Sequence, residues 1–323
     1  IVYSVIFVLT SILIIYSFVG SKILYSTDGG GNNSIYYDIV YTSDTPILME
    51  GNVYINLFHE ENDLRQPFFA LFSIPFTSIS YFISYTFGLS NCARAILINL
   101  VQVMMILFSV YLLSNLLKLD ENKKNIFVLL FCSTYTYLLF SFMMEQYVVA
   151  FFWLIVTIYS YCCDNELDNV CYCGTAGTLL TSGVLVLLNF FKNKKDRIKN
   201  FIFDSIVNLF FLGFSFAFFC RLDVLYSFKS KFQFLMSFSG YKLTVLDKIN
   251  QFFDFIHNIF VSPSAKIMEN NGFKSWQLLL PKSINLIGIL ILVFVLLSLY
   301  LNRKKKISLI SGAWILFSFV ILL

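Results

Sequence analysis

The sequence predicts an all-α protein, a polytopic bundle of transmembrane helices with outer-face loops and short juxtamembrane or re-entrant helices. Of its 323 residues, 58% are hydrophobic and only 13% are charged, and the mean hydropathy is +0.76. A soluble domain carries about 25% charged residues, so this chain has too little charge to cover a water-facing surface. Several apolar runs also reach about 20 residues, the length at which a helix crosses a bilayer. These runs are continuous rather than alternating, which argues against a β-barrel.

The same observations exclude several classes of function. The apolar runs exclude a cytosolic enzyme and a disulfide-knotted secreted module. A net charge of only +4, dispersed along the chain, excludes a nucleic-acid binder. Residues 1–20 lack the basic start and the small-residue cleavage site of a signal peptide, so a first transmembrane helix is expected there.

The apolar runs also give the order of the elements. The candidate spans are about 1–21, 93–117, 125–144, 147–162, 201–220, 283–301 and 307–323. Basic residues in short loops mark the cytoplasmic side, and three basic clusters should share that side: 118–124, 192–199 and 303–306. The clusters can share a side only if the number of membrane crossings between them is even. We therefore expect 171–191 to enter the membrane and return, with a hinge near Ser182-Gly183, and 67–88 to form a re-entrant or kinked pair of short helices.

The whole of 1–323 is expected to form a single transmembrane domain. Because Ile1 is not an initiator and the last residues are still apolar, the chain is expected to be a piece of a longer protein. Two long segments then lie outside the membrane, 22–66 and 221–282. In the second, apolar residues at near-helical spacing across 242–261 predict a helix lying in the membrane interface.

Carboxylates are concentrated in the first outer loop, which holds seven of the 19 in the chain: Asp28, Asp38, Asp44, Glu50, Glu60, Glu61 and Asp63. The loop also contains His59 and ends at Arg65. Proton transfer, metal binding or anion recognition would need such a set, and a solvated loop is the alternative. Glu145 lies between two spans, where an ionisable group is a functional candidate, with exposure among the headgroups as the alternative.

Four of the seven cysteines lie within 162–173, in a spacing that departs from the paired CxxC of zinc sites. Reduced thiols near a cytoplasmic membrane surface are the expected interpretation. No residue is assigned as a metal ligand, and the cofactor is not specified, with a divalent metal as one option.

Three segments, taken in order, resemble one known family. The first is Arg65-Gln66-Pro67-Phe68-Phe69-Ala70-Leu71-Phe72, followed by Phe87-Gly88 and Ala93-Arg94-Ala95; the second is Glu145-Gln146-Tyr147; the third runs from Gly174 to Gly183. Together they resemble the GT-C membrane glycosyltransferases, which include protein O-mannosyltransferases and lipid A aminoarabinose transferases. The resemblance covers about residues 1–200. Gln66 stands where the family more often has His or Pro, and Ser182 where it has Lys or Asn.

The resemblance implies transfer of a sugar from a polyprenyl-phosphate donor to a saccharide, lipid or protein acceptor. The reaction would take place at the outer face of a bacterial cytoplasmic membrane, with membrane lipid as a further partner and no nucleic acid. The family's first outer loop supplies an aspartate that acts as catalytic base or positions the acceptor. Asp44 best matches it, with Asp38 and Asp28 next. Substrate binding is assigned to Arg65, Glu145, Tyr147 and Asp38.

Elementary chemistry is compatible with these roles. A carboxylate beside lipid can have a pKa raised toward that of a useful base, and an arginine can hold a phosphate with two hydrogen bonds. Other interpretations stay open. One is a transporter or flippase of lipid-linked saccharide, another is a catalytically inactive scaffold of the same fold, and a polysaccharide polymerase is a further enzyme of this class.

Overall fold

The computed structural model describes most of the chain. The described residues are 1–17, 65–89, 91–163, 166–192, 196–230, 232–233, 244–261, 265–270, 273–278, 285–305, 307–313 and 315. The all-α prediction is confirmed in this coarse sense: the regular structure of these residues is helical apart from one two-stranded hairpin.

The elements follow one another along the chain with short connections through the middle of the molecule. They are α1 (Val2–Ile15), α2 (Phe69–Thr86), α3 (Asn91–Leu116), α4 (Glu121–Cys132), α5 (Tyr135–Phe142), α6 (Gln146–Cys163), α7 (Asp168–Thr178), a 3₁₀ helix (Leu180–Leu188), α8 (Asn189–Lys192), α9 (Arg197–Phe218), α10 (Leu222–Tyr226), α11 (Val245–Asn258), β1 (Ala265–Asn270), β2 (Phe273–Leu278) and α12 (Leu286–Leu301).

Helices α3 and α6 form the centre of the fold. They pack on each other, α1 and α2 pack on α3, and α7 packs on α6. Val103, Val110 and Val148 are almost fully buried between them. The Thr10 and Tyr137 hydroxyls, 2.8 Å apart, form a hydrogen bond that links α1 to α5. The larger apolar core therefore lies along α3 and α6, and the other elements are placed relative to it.

Three of the described helices are long and apolar enough to cross a membrane: Ala93–Leu116, Gln146–Cys163 and Arg197–Phe218. They match the spans predicted at 93–117, 147–162 and 201–220. The stretch predicted as a span at 125–144 is bent: α4 and α5 are together long and apolar enough to count as a fourth span, but they meet at an angle of 67°. Thr134 caps the start of α5 by accepting a hydrogen bond from the Tyr137 backbone N–H, which stabilises a new helix there.

The two stretches expected to be re-entrant differ from prediction. Residues 69–86 form one α-helix, so the kinked pair of short helices predicted over 67–88 is wrong. The stretch 171–191 is broken as predicted, but the hinge is misplaced. Helix α7 ends at Thr178, Leu179 is extended, and the 3₁₀ helix passes through Ser182 and Gly183. Extended backbone at Leu179, rather than glycine, makes the break.

A buried polar network ties α6, α7, α8 and α9 together. The Tyr161 hydroxyl and the Asn189 amide both donate to Asn208 Oδ1, at 2.8 and 2.7 Å, and Asn208 Nδ2 donates to Asn169 Oδ1 at 2.7 Å. Buried amides paired in this way hold apolar helices in one register, since any shift would leave the groups unsatisfied.

The C-terminal part contains a helix where the sequence predicted one, and a hairpin where it did not. Helix α11 begins with a capping box between Thr244 and Asp247. It packs on α12, where a Cβ at Gly288 would overlap the Phe253 carbonyl. Placement of α11 at a membrane interface stays a prediction. Strands β1 and β2 pair antiparallel, which corrects the strictly all-α expectation for 221–282.

Candidate functional site

The segment that contains Arg65 is fastened to the break after α7. The Phe68 backbone N–H donates to the Gly177 carbonyl at 2.8 Å, and the Leu180 N–H donates to the Arg65 carbonyl at 2.7 Å. The two segments approach this closely because position 177 is glycine: a Cβ there would lie 2.7 Å from Cδ2 of Phe68. Two motifs far apart in sequence therefore meet at one point.

Arg65 contacts Tyr147, and both residues were assigned to substrate binding from the sequence. The guanidinium carbon of Arg65 lies 5.7 Å from the centroid of the Tyr147 ring, within the range of a cation–π interaction. Both side chains are half-buried. Tyr147 lies in the first turn of α6, so that helix fixes the position of the arginine head group.

Glu145 lies in the turn that joins α5 to α6, and two buried amides of α3 hold this turn. Gln102 Nε2 donates to the carbonyls of Phe140 and Met143, at 3.2 and 2.9 Å, and its Oε1 accepts from the Glu145 N–H at 3.1 Å. Asn99 Nδ2 donates to the carbonyl of Phe142, the last residue of α5, at 2.9 Å. The α3 amides thus determine the path of the backbone that carries Glu145.

Tyr147 also lines a cavity of about 310 Å³. Residues of α5 and α6 line it together with Leu179 and Ser182 from the break after α7. Nearly all of the lining is apolar, including Phe140 and Phe151. Tyr147 therefore contacts a charged group and also borders an apolar cavity.

Gln66, next to Arg65, has an unusual environment. Its side chain is only 5% exposed, and neither its amide nitrogen nor its amide oxygen has a hydrogen-bond partner within the described part of the chain. A buried polar group left without a partner costs about 1–3 kcal/mol. An amide offers both a donor and an acceptor, which matches a hydroxyl-bearing ligand.

The structure describes only some of the predicted site residues. It brings Arg65 and Tyr147 into contact and places Glu145 two residues before Tyr147, whereas Asp38 and Asp44 lie outside the described residues. Sequence reasoning missed the supporting amides of α3. The available signal was the pair Asn99 and Gln102, two amides three residues apart within an apolar run.

Within the described ranges, no group of three or more His, Cys, Asp or Glu side chains is placed to hold a metal ion. A scan against protein-family models, a search of curated proteins and a search of solved structures each find no significant match to this chain.

Proposed function

We propose that this chain is a multi-pass glycosyltransferase of the bacterial cytoplasmic membrane. It would transfer a sugar from a polyprenyl-phosphate donor to an acceptor at the outer face. The observation that carries the proposal is the position of Tyr147, which contacts the Arg65 guanidinium and also borders the apolar cavity. A polyprenyl-phosphate sugar has an anionic phosphate attached to an apolar tail, and this arrangement offers a partner for each part.

Arg65 is the residue that binds the phosphate in this proposal. Its planar guanidinium can donate two parallel hydrogen bonds to phosphate oxygens, a geometry that lysine lacks. The ring of Tyr147 and the backbone hydrogen bond from Leu180 to Arg65 hold the residue in place. A phosphate held there would point its lipid toward the cavity that Tyr147 borders.

The apolar cavity accommodates the first part of the lipid tail. Its volume of about 310 Å³ lies at the lower end of the range of about 300–1,000 Å³ that is usual for ligand pockets. Its lining offers almost no hydrogen-bonding groups, so specificity for the donor would come from contacts to the phosphate and the sugar. Gln66 is the described residue best suited to the sugar hydroxyls, because its buried amide has both a donor and an acceptor to offer.

The reaction needs a base. A carboxylate of the first outer loop, Asp44 by the family resemblance, removes the proton from the acceptor hydroxyl. The acceptor oxygen bonds to the anomeric carbon as the bond from that carbon to the phosphate oxygen breaks. The polyprenyl phosphate leaves with the electron pair, and Arg65 stabilises its charge.

The test measures consumption of a polyprenyl-phosphate sugar by membranes that contain each variant. Arg65→Gln should lower turnover by about 10²–10³-fold, the usual effect of removing one group that stabilises a developing anion. The turnover of Arg65→Lys should lie between that of Arg65→Gln and that of the wild type, because lysine keeps the positive charge but cannot donate two parallel hydrogen bonds to the phosphate. Arg303→Gln is the matched control, because Arg303 also lies over a tyrosine ring, 4.3 Å from that of Tyr300.

The same assay tests the base. Asp44→Asn should lower turnover by about 10²–10⁴-fold, whereas Asp28→Asn should leave it unchanged. Wild-type turnover in either Arg65→Gln or Asp44→Asn would refute the role of that residue. Equal losses in Asp44→Asn and Asp28→Asn would remove the assignment of the base.

A transporter of lipid-linked saccharide is the second candidate. The 67° bend between α4 and α5 and the break at Leu179 favour it, because interrupted helices often form transporter binding sites. Reconstituted vesicles separate the two functions. A transporter moves intact donor between leaflets, whereas the transferase consumes donor and releases polyprenyl phosphate.

A further inference from the structure

A second cavity, of about 610 Å³, lies at the opposite end of α3 and α6 from the Arg65–Tyr147 site. The residues that line it include Leu116, the last residue of α3, and Cys163, the last of α6. At about 1.5 Å per helical residue, Tyr147 and Cys163 are roughly 24 Å apart along α6. The cavity is therefore separate from the proposed sugar-transfer site.

The charge of this cavity is positive. Lys118 and Lys305 line it, and none of the aspartates and glutamates that the structure describes does. The nearby carboxylates of Asp120 and Glu121 are already engaged, by Lys123 at 2.8 Å and by Lys124 at 3.0 Å. Each of the α3 and α6 C-terminal ends adds a partial charge of about −0.5, which the two full lysine charges exceed.

The walls of the cavity are mixed in polarity. Leu116, Leu117 and Ile307 supply apolar surface, and Asn115 and Tyr159 supply groups that can donate hydrogen bonds. A free phosphate ion would leave the apolar part of the cavity in water. A phosphate that carries acyl chains would cover both parts, and basic pockets between apolar helices at the cytoplasmic surface are typical sites for such headgroups.

We propose that this cavity binds the phosphate headgroup of an anionic membrane phospholipid between Lys118 and Lys305. Both lysines are exposed, and neither forms an ion pair within the described ranges. The two residues come from basic clusters that the sequence assigned to the cytoplasmic side, which places the lipid in the cytoplasmic leaflet. The site does not depend on sugar transfer and would exist in an inactive scaffold as well.

Native mass spectrometry of the full chain in neutral detergent tests the proposal. Phosphatidylglycerol is the anionic probe and phosphatidylcholine of the same chain length is the neutral one. Wild-type protein should retain phosphatidylglycerol preferentially. The double variant Lys118→Gln/Lys305→Gln should lose about thirty-fold in that preference, about five-fold for each surface lysine.

The control removes two positive charges at the same end of the molecule without altering the cavity lining. Arg303→Gln/Lys304→Gln should keep the wild-type preference, because neither residue lines the cavity and neither pairs with Asp120 or Glu121. An unchanged preference in Lys118→Gln/Lys305→Gln would overturn the proposal. An equal loss in the control would also overturn it, since general surface charge would then be the cause.

Thiol labelling gives an independent readout within the wild-type protein. Cys163 lines the cavity and is exposed, whereas Cys220 is exposed elsewhere. Phosphatidylglycerol should slow alkylation of Cys163 and leave Cys220 unaffected. Inorganic phosphate should protect Cys163 far more weakly; equal protection by the free ion would overturn the assignment to a lipid.

Discussion

At the scale of single residues, the candidate site depends on side-chain amides. Gln102 uses its donor and acceptor atoms together on the turn before α6, whereas Gln66 is buried with neither amide atom paired among the described residues. The first arrangement stabilises the fold. The second costs stability, which is typical of residues retained for a ligand.

Gln66→Leu separates these two explanations. Leucine replaces an unpartnered amide with an apolar group of similar size, so the variant should be at least as stable as the wild type. If Gln66 binds the sugar of the donor, KM for the polyprenyl-phosphate sugar should rise while the thermal midpoint does not fall. Thermal unfolding in detergent and donor titration measure the two effects. An unchanged KM would show that Gln66 has no part in donor binding.

At the scale of elements, the contact between the Arg65 segment and α7 depends on glycine. Gly177→Ala places a methyl group 2.7 Å from Phe68, so we expect destabilisation of about 1–3 kcal/mol, the usual cost of overpacking. Gly213→Ala on α9 is the matched control, because nothing lies within 4 Å of its Cβ position. That variant should be neutral or more stable by up to about 1 kcal/mol. Equal effects in thermal unfolding would contradict the packing argument.

The start of α4 has a pH-dependent cap. Hydrogen bonds from the Lys123 side chain and backbone N–H to the Asp120 carboxylate lower the pKa of Asp120 below its ordinary value. The folded state therefore binds this proton less tightly than the unfolded chain. The stabilisation is present above the unfolded pKa of about 3.9 and is lost as the pH falls through the lowered value.

Asp120→Asn, which keeps a capping side chain but removes the charge, should unfold at a lower temperature than the wild type near neutral pH. The difference should shrink as the pH falls below about 4, because Asp120 then becomes neutral as well. Thermal midpoints measured from pH 3 to pH 7 check this. A difference that stays constant over the whole range would show that the Asp120 charge contributes nothing.

The elements also show where sequence reasoning succeeds. Continuous apolar runs predicted α3 and α6 because hydrophobic length is a local property. The bend at Ser133 was not predicted, although Ser133-Thr134 interrupts the apolar run, because serine and threonine also occur within membrane-spanning helices. The partners of Gln102 are 38 to 43 residues away along the chain, so its amide could be noticed but its role could not be predicted.

At the scale of the whole molecule, orientation in the membrane is the main open prediction. Lys118 and Lys305 line one cavity, so two of the three basic clusters lie at the same end of the structure. Cysteine labelling should place Lys123, Lys195 and Lys305 in the cytoplasm and Asp44 and Lys248 outside. Each position is replaced by cysteine in turn and probed with a reagent that does not cross membranes. An external Lys195 would mean that 171–191 crosses the membrane and that the predicted topology is wrong.

The hydrogen bonds between the start of α5 and the two residues that follow α11 have a consequence for how the chain assembles during synthesis. The backbone N–H groups of Tyr135 and Thr136, at the start of α5, donate to the carbonyls of Phe260 and Ile259. Thr136 precedes Ile259 by 123 residues, so these partners leave the ribosome roughly 6–25 s later at about 5–20 residues per second. Until then the N–H groups of Tyr135 and Thr136 need water or the translocation machinery to satisfy them. The Tyr135 and Thr136 N–H groups therefore gain these partners only after α6 and α9 have been synthesised, although α1 and α3, which also hold α5, are already present.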